Sequence, residues 1–217
     1  MFYTFFNFFV KITGWPIQFL LYRTKIYYEN KSIQSRKIKG KAIVICNHTS
    51  VFDYPALMFA FFFRTLRVQM AEILFKKPFL GVFLKLLGGI YVDRYSSDLS
   101  FMGKTEKILH KGGVVGIWPE GRIPKKGEER PLEFKTGAAF LSLSTAAPVI
   151  PVYTDGSYFN LRRRAHIIIG TPLYPEDFSD ENLSEKENIV RMTAAMREKI
   201  ISLGSVLNER KQSENKS

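Results

Sequence analysis

One cysteine, Cys46, and three histidines are all that the 217 residues offer to redox or metal chemistry. A lone thiol excludes an internal disulfide and a multi-cysteine zinc site, and it suits a reducing compartment. No His, Asp and Glu cluster has metal-ligand spacing, so no metal is expected. Acidic residues are also scarce: 20 Asp+Glu face 32 Lys+Arg, a formal charge of +12. No internal repeat is visible. With 46% hydrophobic and 24% charged residues, a disordered or collagen-like chain is excluded. A single compact domain of this length buries roughly 70% of its unfolded surface and needs no staple. Phenylalanine, at 19 residues, is in excess. A basic, Phe-rich chain calls for a partner both anionic and apolar, and a membrane surface offers both. Nucleic acid is not an expected partner. Arg162-Arg163-Arg164 and the stretch 35–41 are basic, but no nucleic-acid motif accompanies them, and a solvated surface near acidic headgroups accounts for such runs.

Composition is polarised along the chain. Phe2, Tyr3, Phe5, Phe6, Phe8, Phe9, Trp15, Phe19, Tyr22, Tyr27 and Tyr28 crowd the front, and Glu29 is the only acid before Lys41. No basic residue precedes the apolar run and no small-residue cleavage site follows it, a poor fit to a signal peptide. As one helix, residues 1–22 would measure about 33 Å, enough to span hydrocarbon. A span would bury Lys11 at mid-bilayer, at roughly 2.5–3.5 kcal/mol, along with Asn7 and Gln18. Gly14-Trp15-Pro16 would also interrupt it. The expectation is two short aromatic helices in the interface, bent at Gly14 and Pro16, with Lys11, Arg23 and Lys25 at headgroups. That puts the chain on the cytoplasmic face of a membrane, monotopic or peripheral. A single span and a buried core helix are the alternatives. Residues 1–30 are thus read as a membrane-associating helical segment, 31–207 as the folded domain and 208–217 as a frayed polar tail.

The β-branched run Lys41–Cys46 reads as a buried strand. Pro55–Phe63 reads as a helix opened by Asp53 and Pro55. Arg67–Ala71 follows as a short strand and Ile73–Leu87 as a helix bent at Pro78. Then come strand Ile90–Val92, helix Leu99–His110, strand Val114–Trp118, a basic loop, helix Thr136–Ser144, and strands Val149–Tyr153 and His166–Ile169. Ser184 to Glu187 is a capping box for a last helix whose apolar residues recur from Ile189 to Leu207. Strands alternating with helices indicate a single α/β domain with a mostly parallel sheet flanked by helices.

Residues 47–53 read Asn47-His48-Thr49-Ser50-Val51-Phe52-Asp53, directly after a strand. On one helix, His48 and Asp53 would lie about 140° apart. They meet only if His48 occupies the turn and Asp53 the first helical turn, where Asp53 can orient one ring nitrogen and leave the other as a base. The competing reading is a turn histidine beside a capping aspartate. Three further blocks lie downstream. Gly89-Ile90-Tyr91-Val92-Asp93-Arg94 ends a strand with an arginine at its tip, where α/β folds place ligand-binding groups. Trp118-Pro119-Glu120-Gly121-Arg122 ends another with a carboxylate and a guanidinium, and Val149-Ile150-Pro151-Val152 follows.

In order and wording these four blocks resemble the 1-acylglycerol-3-phosphate acyltransferase family, the lysophosphatidate acyltransferases, from Asn47 to Val152. The resemblance implies that 31–207 is an acyltransferase domain. It would move an acyl group from acyl-coenzyme A or acyl-acyl carrier protein to the 2-hydroxyl of lysophosphatidate, giving phosphatidate. His48 would be the base and Asp53 its orienting partner. Asn47, Gly89, Arg94, Glu120 and Gly121 would serve substrate binding, with Arg94 associated with the phosphate and Glu120-Gly121 with the glycerol phosphate. Pro151 would have an acyl-donor or structural role. No cofactor is implied, and membrane lipids are the other partner. Family members commonly carry Thr then Arg after Glu-Gly, whereas Arg122 follows Gly121 directly here. Arg122, Lys125, Lys126, Arg130 and Lys135 therefore remain alternatives for the phosphate. The departure bears on the acceptor, and another lysophospholipid or glycerol 3-phosphate stays open. The residue types suit the reaction independently, because a neutral imidazole can take a hydroxyl proton and a thiolate leaves without a metal. Cys46, two residues from His48, could suggest a covalent route, but a thiol ending an apolar strand reads as a small buried hydrophobe. His110 and His166 read as structural.

Overall fold

The computed structural model describes residues 2–94, 98–160 and 163–214, so Arg162 of the basic triplet lies outside the described residues. One sheet runs in the order β1 (Lys25–Tyr28), β7 (His166–Ile169), β6 (Val149–Thr154), β2 (Ala42–Cys46), β5 (Val114–Ile117), β3 (Leu66–Ala71), β4 (Ile90–Val92). All of β2 is buried, between parallel partners β5 and β6. A continuous β-branched run supplies that two-sided burial. β3 and β4 extend the parallel set, whereas β7 is antiparallel to β6 and carries β1 parallel to itself. The sheet is mostly parallel, as the alternation of elements implied.

Side chains of β2 divide between two cores. Val44 and Cys46 pack with Ala56 and Leu57 of α2 (Asp53–Ala60) and Leu84 of α4 (Pro78–Leu86). Ile43 and Ile45 pack on the opposite face with Leu109 of α5 (Ser100–His110), Leu141 of α6 (Gly137–Thr145) and Met196 of α7 (Glu185–Glu214). The expected helix over 73–87 is divided, with α3 (Glu72–Phe75) ending before Pro78 opens α4. The capping box forms: Ser184 Oγ accepts from Glu187 N–H at 3.3 Å, and Ser184 N–H donates to the Glu187 carboxylate at 2.8 Å.

The front segment departs most from expectation. It is one helix, α1 (Phe2–Leu21), with Pro16 inside it rather than two helices bent there. Pro16 is exposed, so the backbone bond it forgoes faces outward, while packing on α2 and α4 holds the helix on course. Lys11 does not reach toward headgroups. It is fully buried and donates to the carbonyls of Phe61 (3.3 Å), Phe62 (3.0 Å) and Arg64 (2.7 Å), just past the C-terminal end of α2. Asn7 is buried one turn away. The helix is therefore inverted, with Asn7 and Lys11 facing the protein and Phe2, Phe5, Phe9, Ile12 and Leu20 exposed. Among the described residues, no helix is long and apolar enough to cross a membrane.

Two further boundaries move. Residues 25–28 belong to the sheet as β1, inside the stretch read as membrane-associating. The tail read as frayed is helical through Glu214. Its residues find partners on the sheet: Glu214 accepts from Lys25 Nζ (2.5 Å) and Tyr27 Oη (2.7 Å), Arg210 donates to Tyr28 O, and Lys211 donates to Asp155.

Candidate active site

β2 ends at Cys46, and the chain then turns sharply before α2 begins at Asp53. The turn is built around the Asp53 carboxylate, which is fully buried. Oδ2 accepts from Thr49 N–H (2.8 Å) and Ser50 N–H (3.0 Å), and Oδ1 accepts from Thr49 Oγ1 (2.6 Å) and Tyr158 Oη (2.9 Å). His48 Nδ1 lies 2.8 Å from Oδ2. So many donors keep the carboxylate an acceptor, which puts the imidazole proton on Nδ1 and leaves Nε2 as the basic nitrogen. The pairing of turn histidine and first-turn aspartate is thus realised. The His48 side chain is 20% exposed and packs against Trp118, with ring centroids 5.4 Å apart.

His48 lines a cleft of about 1340 Å³ that follows the carboxyl ends of β2, β5, β3 and β4. Ligand sites of α/β sheets lie at this edge. The volume exceeds the roughly 300–1,000 Å³ of ordinary small-molecule pockets. One arm runs beneath α1 between α2 and α4, lined by Val10, Gly14, Ile17, Met58, Phe59, Leu80, Phe83, Leu84 and Leu87. The other passes Arg94, Gly121, Arg122 and Lys135 toward Met102 and Phe140. An apolar channel and a basic patch thus flank one imidazole.

The residues singled out from sequence separate by place. Arg94, Gly121, Arg122 and Lys135 line the cleft with His48; Asn47, Gly89, Glu120 and Pro151 do not. The Asn47 side chain straps β2 to β6, donating to Thr154 O and accepting from Thr154 N–H, both at 2.9 Å. Gly89 sits where a Cβ would come within 3.0 Å of Leu84 O. Glu120 is 4% exposed, and its carboxylate accepts from His48 N–H (2.6 Å) and Leu132 N–H (2.9 Å), binding the histidine turn to the basic loop. Pro151 is buried in β6 opposite Ile45. Among the basic candidates, Arg94 is held by Glu72 (3.2 Å) and Arg122 by Glu128 (2.6 Å). Lys125, Lys126 and Arg130 are exposed and lie outside the lining. Lys135 crosses over Gly121, where a Cβ would meet its Cε at 2.8 Å and where φ is +71°. Glycine meets both demands there.

Electrostatics follow these contacts. The Arg94 guanidinium holds the Glu72 carboxyl down at about 2. Burial pushes Glu120 above the usual carboxylate range and raises the Cys46 thiol well above its own, which disfavours the thiolate that a nucleophile needs. Burial, and then the Asp53 charge, raises Tyr158 and takes Tyr22 to about 12. His166 pairs with Asp155 at 2.8 Å where β6 ends and β7 begins, and among the described residues no His, Cys, Asp and Glu group could hold a metal. Sequence reasoning missed Thr49 and Tyr158 as partners of Asp53. Thr49 lay within the motif and its hydroxyl was the available signal; Tyr158, 105 residues away, left none.

A family model described as Acyltransferase matches residues 25–155. The chain is 28% identical over 171 residues to 1-acyl-sn-glycerol-3-phosphate acyltransferase of Bacillus subtilis, covering 77% of this chain and 83% of that protein. It is 24% identical over 160 residues to the beta form of the enzyme from Homo sapiens, covering 71% and 56%. In fold it resembles the crystal structure of the 1-acyl-sn-glycerophosphate acyltransferase PlsC of Thermotoga maritima, with a TM-score of 0.64, 21% identity, and coverage of 93% of this chain and 79% of that one.

Proposed function

Since the chain belongs to the acyltransferase family, we propose that it transfers a fatty acyl group from an acyl thioester to the 2-hydroxyl of lysophosphatidate, giving phosphatidate. The observation that carries this reading is a cleft in which a carboxylate-oriented imidazole stands between an apolar arm and a basic patch. The relatives' names supply the acceptor.

Nε2 of His48 takes the proton of the acceptor hydroxyl as its oxygen attacks the thioester carbonyl. Asp53 stabilises the imidazolium so formed. Collapse of the tetrahedral intermediate expels the thiolate of coenzyme A or acyl carrier protein, which recovers the proton from His48. The apolar arm beneath α1 accommodates the acyl chain, and Lys135 with Arg94 and Arg122 faces the acceptor phosphate. The outward Phe side chains of α1 hold the enzyme peripherally or monotopically at a membrane, where both the acceptor and the product reside.

The test is turnover by the purified enzyme with either thioester donor and with lysophosphatidate, glycerol 3-phosphate and a neutral lysophospholipid as acceptors. Lysophosphatidate should give the highest kcat/KM. Loss of a general base costs about 10²–10⁴-fold, so His48→Ala should retain at most a hundredth of the turnover. Lys135→Ala should raise KM for lysophosphatidate more than for the donor. Preference for an acceptor without a phosphate, or near-normal turnover by a folded His48→Ala protein, would refute the reading.

A further inference from the structure

Asp53 has an outer partner drawn from a distant part of the chain. Its Oδ1 accepts from Tyr158 Oη at 2.9 Å, and Tyr158 Oη also lies 2.9 Å from Thr154 Oγ1. Tyrosine has a single hydroxyl proton and a carboxylate can only accept. That proton therefore goes to Asp53, and Thr154 donates to Tyr158. Thr154 Oγ1 in turn accepts from Gly156 N–H at 3.2 Å. The loop after β6 is fixed twice more, by the Asn47 strap on the Thr154 backbone and by Gly156, where a Cβ would stand 2.6 Å from Thr49 Oγ1. The phenol ring is clamped by Tyr22 at the end of α1, with centroids 5.3 Å apart, and Phe159 N–H donates to Leu21 O at 3.1 Å.

We propose that Tyr158 is a positioning residue for acyl transfer, the link in a relay Gly156–Thr154–Tyr158–Asp53–His48 that orients the imidazole and tempers the charge Asp53 presents to it. This rests on the reading of His48 as the base. Hydrogen bonds in series polarise one another, so each donor behind Asp53 draws charge away from Oδ2. Burial and the Asp53 charge keep the Tyr158 hydroxyl protonated, so it remains a donor wherever the enzyme is assayed. Without that hydroxyl the carboxylate is freer to rotate and carries more charge toward the ring. The base then aligns less well and stays protonated to higher pH.

The experiment compares kcat, KM and the pH dependence of kcat/KM for wild type, Tyr158→Phe and His48→Ala, with the low-field Nδ1–H proton resonance of His48 as a spectroscopic readout. Tyr158→Phe keeps the ring against Tyr22. It should lower kcat about tenfold, the size of one hydrogen bond to a charged group, with little change in either KM. The acid limb should move to higher pH and the Nδ1–H resonance should shift. Thr154→Val, which removes only the donor behind Tyr158, should move the limb the same way by less, and it carries the test if Tyr158→Phe does not fold. An inactive His48→Ala beside a Tyr158→Phe enzyme with unaltered kcat and acid limb would overturn the relay and leave the base in place. Near-normal turnover by His48→Ala would overturn both.

Discussion

At the scale of one residue, Lys11 shows how a charge is accommodated out of water. Burial lowers its pKa from 10.5 to about 7, while three carbonyls just past α2 receive its protons. The unfolded lysine keeps its proton up to pH 10.5, and the folded one releases it near pH 7. Between those values the unfolded state binds more protons, so stability rises with pH through this group. The urea-unfolding free energy of wild type relative to Lys11→Met should therefore climb from pH 7 to 10.5 and be flat below that window. A difference that falls with pH would contradict the burial. Lys11→Ala adds a void and leaves the carbonyls without their donor, and should cost about 2–4 kcal/mol below pH 7, the cost rising across the same window.

At the scale of elements, the corner between α3 and α4 sets the shape of the apolar arm of the cleft. Gly81 lies where a Cβ would stand 2.4 Å from Phe75 O and 3.0 Å from Phe75 C, backbone atoms that no rotamer change can move. Leu80, Phe83 and Leu84 on the same helix line the cleft. Gly81→Ala must therefore push α4 off α3 and displace that wall. The expected cost is about 1–3 kcal/mol, typical of overpacking, read as a lowered Tm, together with an altered preference among acyl chain lengths. A variant melting at the wild-type temperature with the same preference would show that the corner does not constrain the arm.

Across the whole molecule, the inversion of α1 leaves an apolar face that the other described residues do not cover. Phe5 is 71% exposed, Phe9 53% and Ile12 66%, on a protein of formal charge +12. Each Phe adds about 1.5–3 kcal/mol when fully buried, and each basic residue near an anionic surface about 1 kcal/mol. Flotation with anionic vesicles should show high salt releasing only part of the wild-type protein, because burial persists when charge is screened. Phe5→Asp with Phe9→Asp should abolish flotation and preserve the Tm, since neither side chain supports the core. Undiminished flotation by the double variant would place the membrane contact elsewhere.

What the chain made legible by itself was local. The strand cores, the parallel α/β layering, the Ser184–Glu187 cap and the His48–Asp53 pair rest on contacts within a few residues or on a periodicity that any stretch displays alone. Partner choice was not legible. Arg94 and Arg122 read as candidate phosphate ligands, and only the folded chain brings Glu72 and Glu128 to them. Pro16 read as a break, and packing on α2 and α4 carries the helix through it. Lys11 read as a headgroup ligand until the end of α2, fifty residues on, supplied its acceptors. Residues 208–214 read as a loose tail until β1 and Asp155 gave them partners. Tyr158 reaches Asp53 only because β6 lies beside β2 in the sheet. A buried polar group takes whichever complementary group the fold delivers to it, and that delivery is settled by the order of strands rather than by the residues next in sequence.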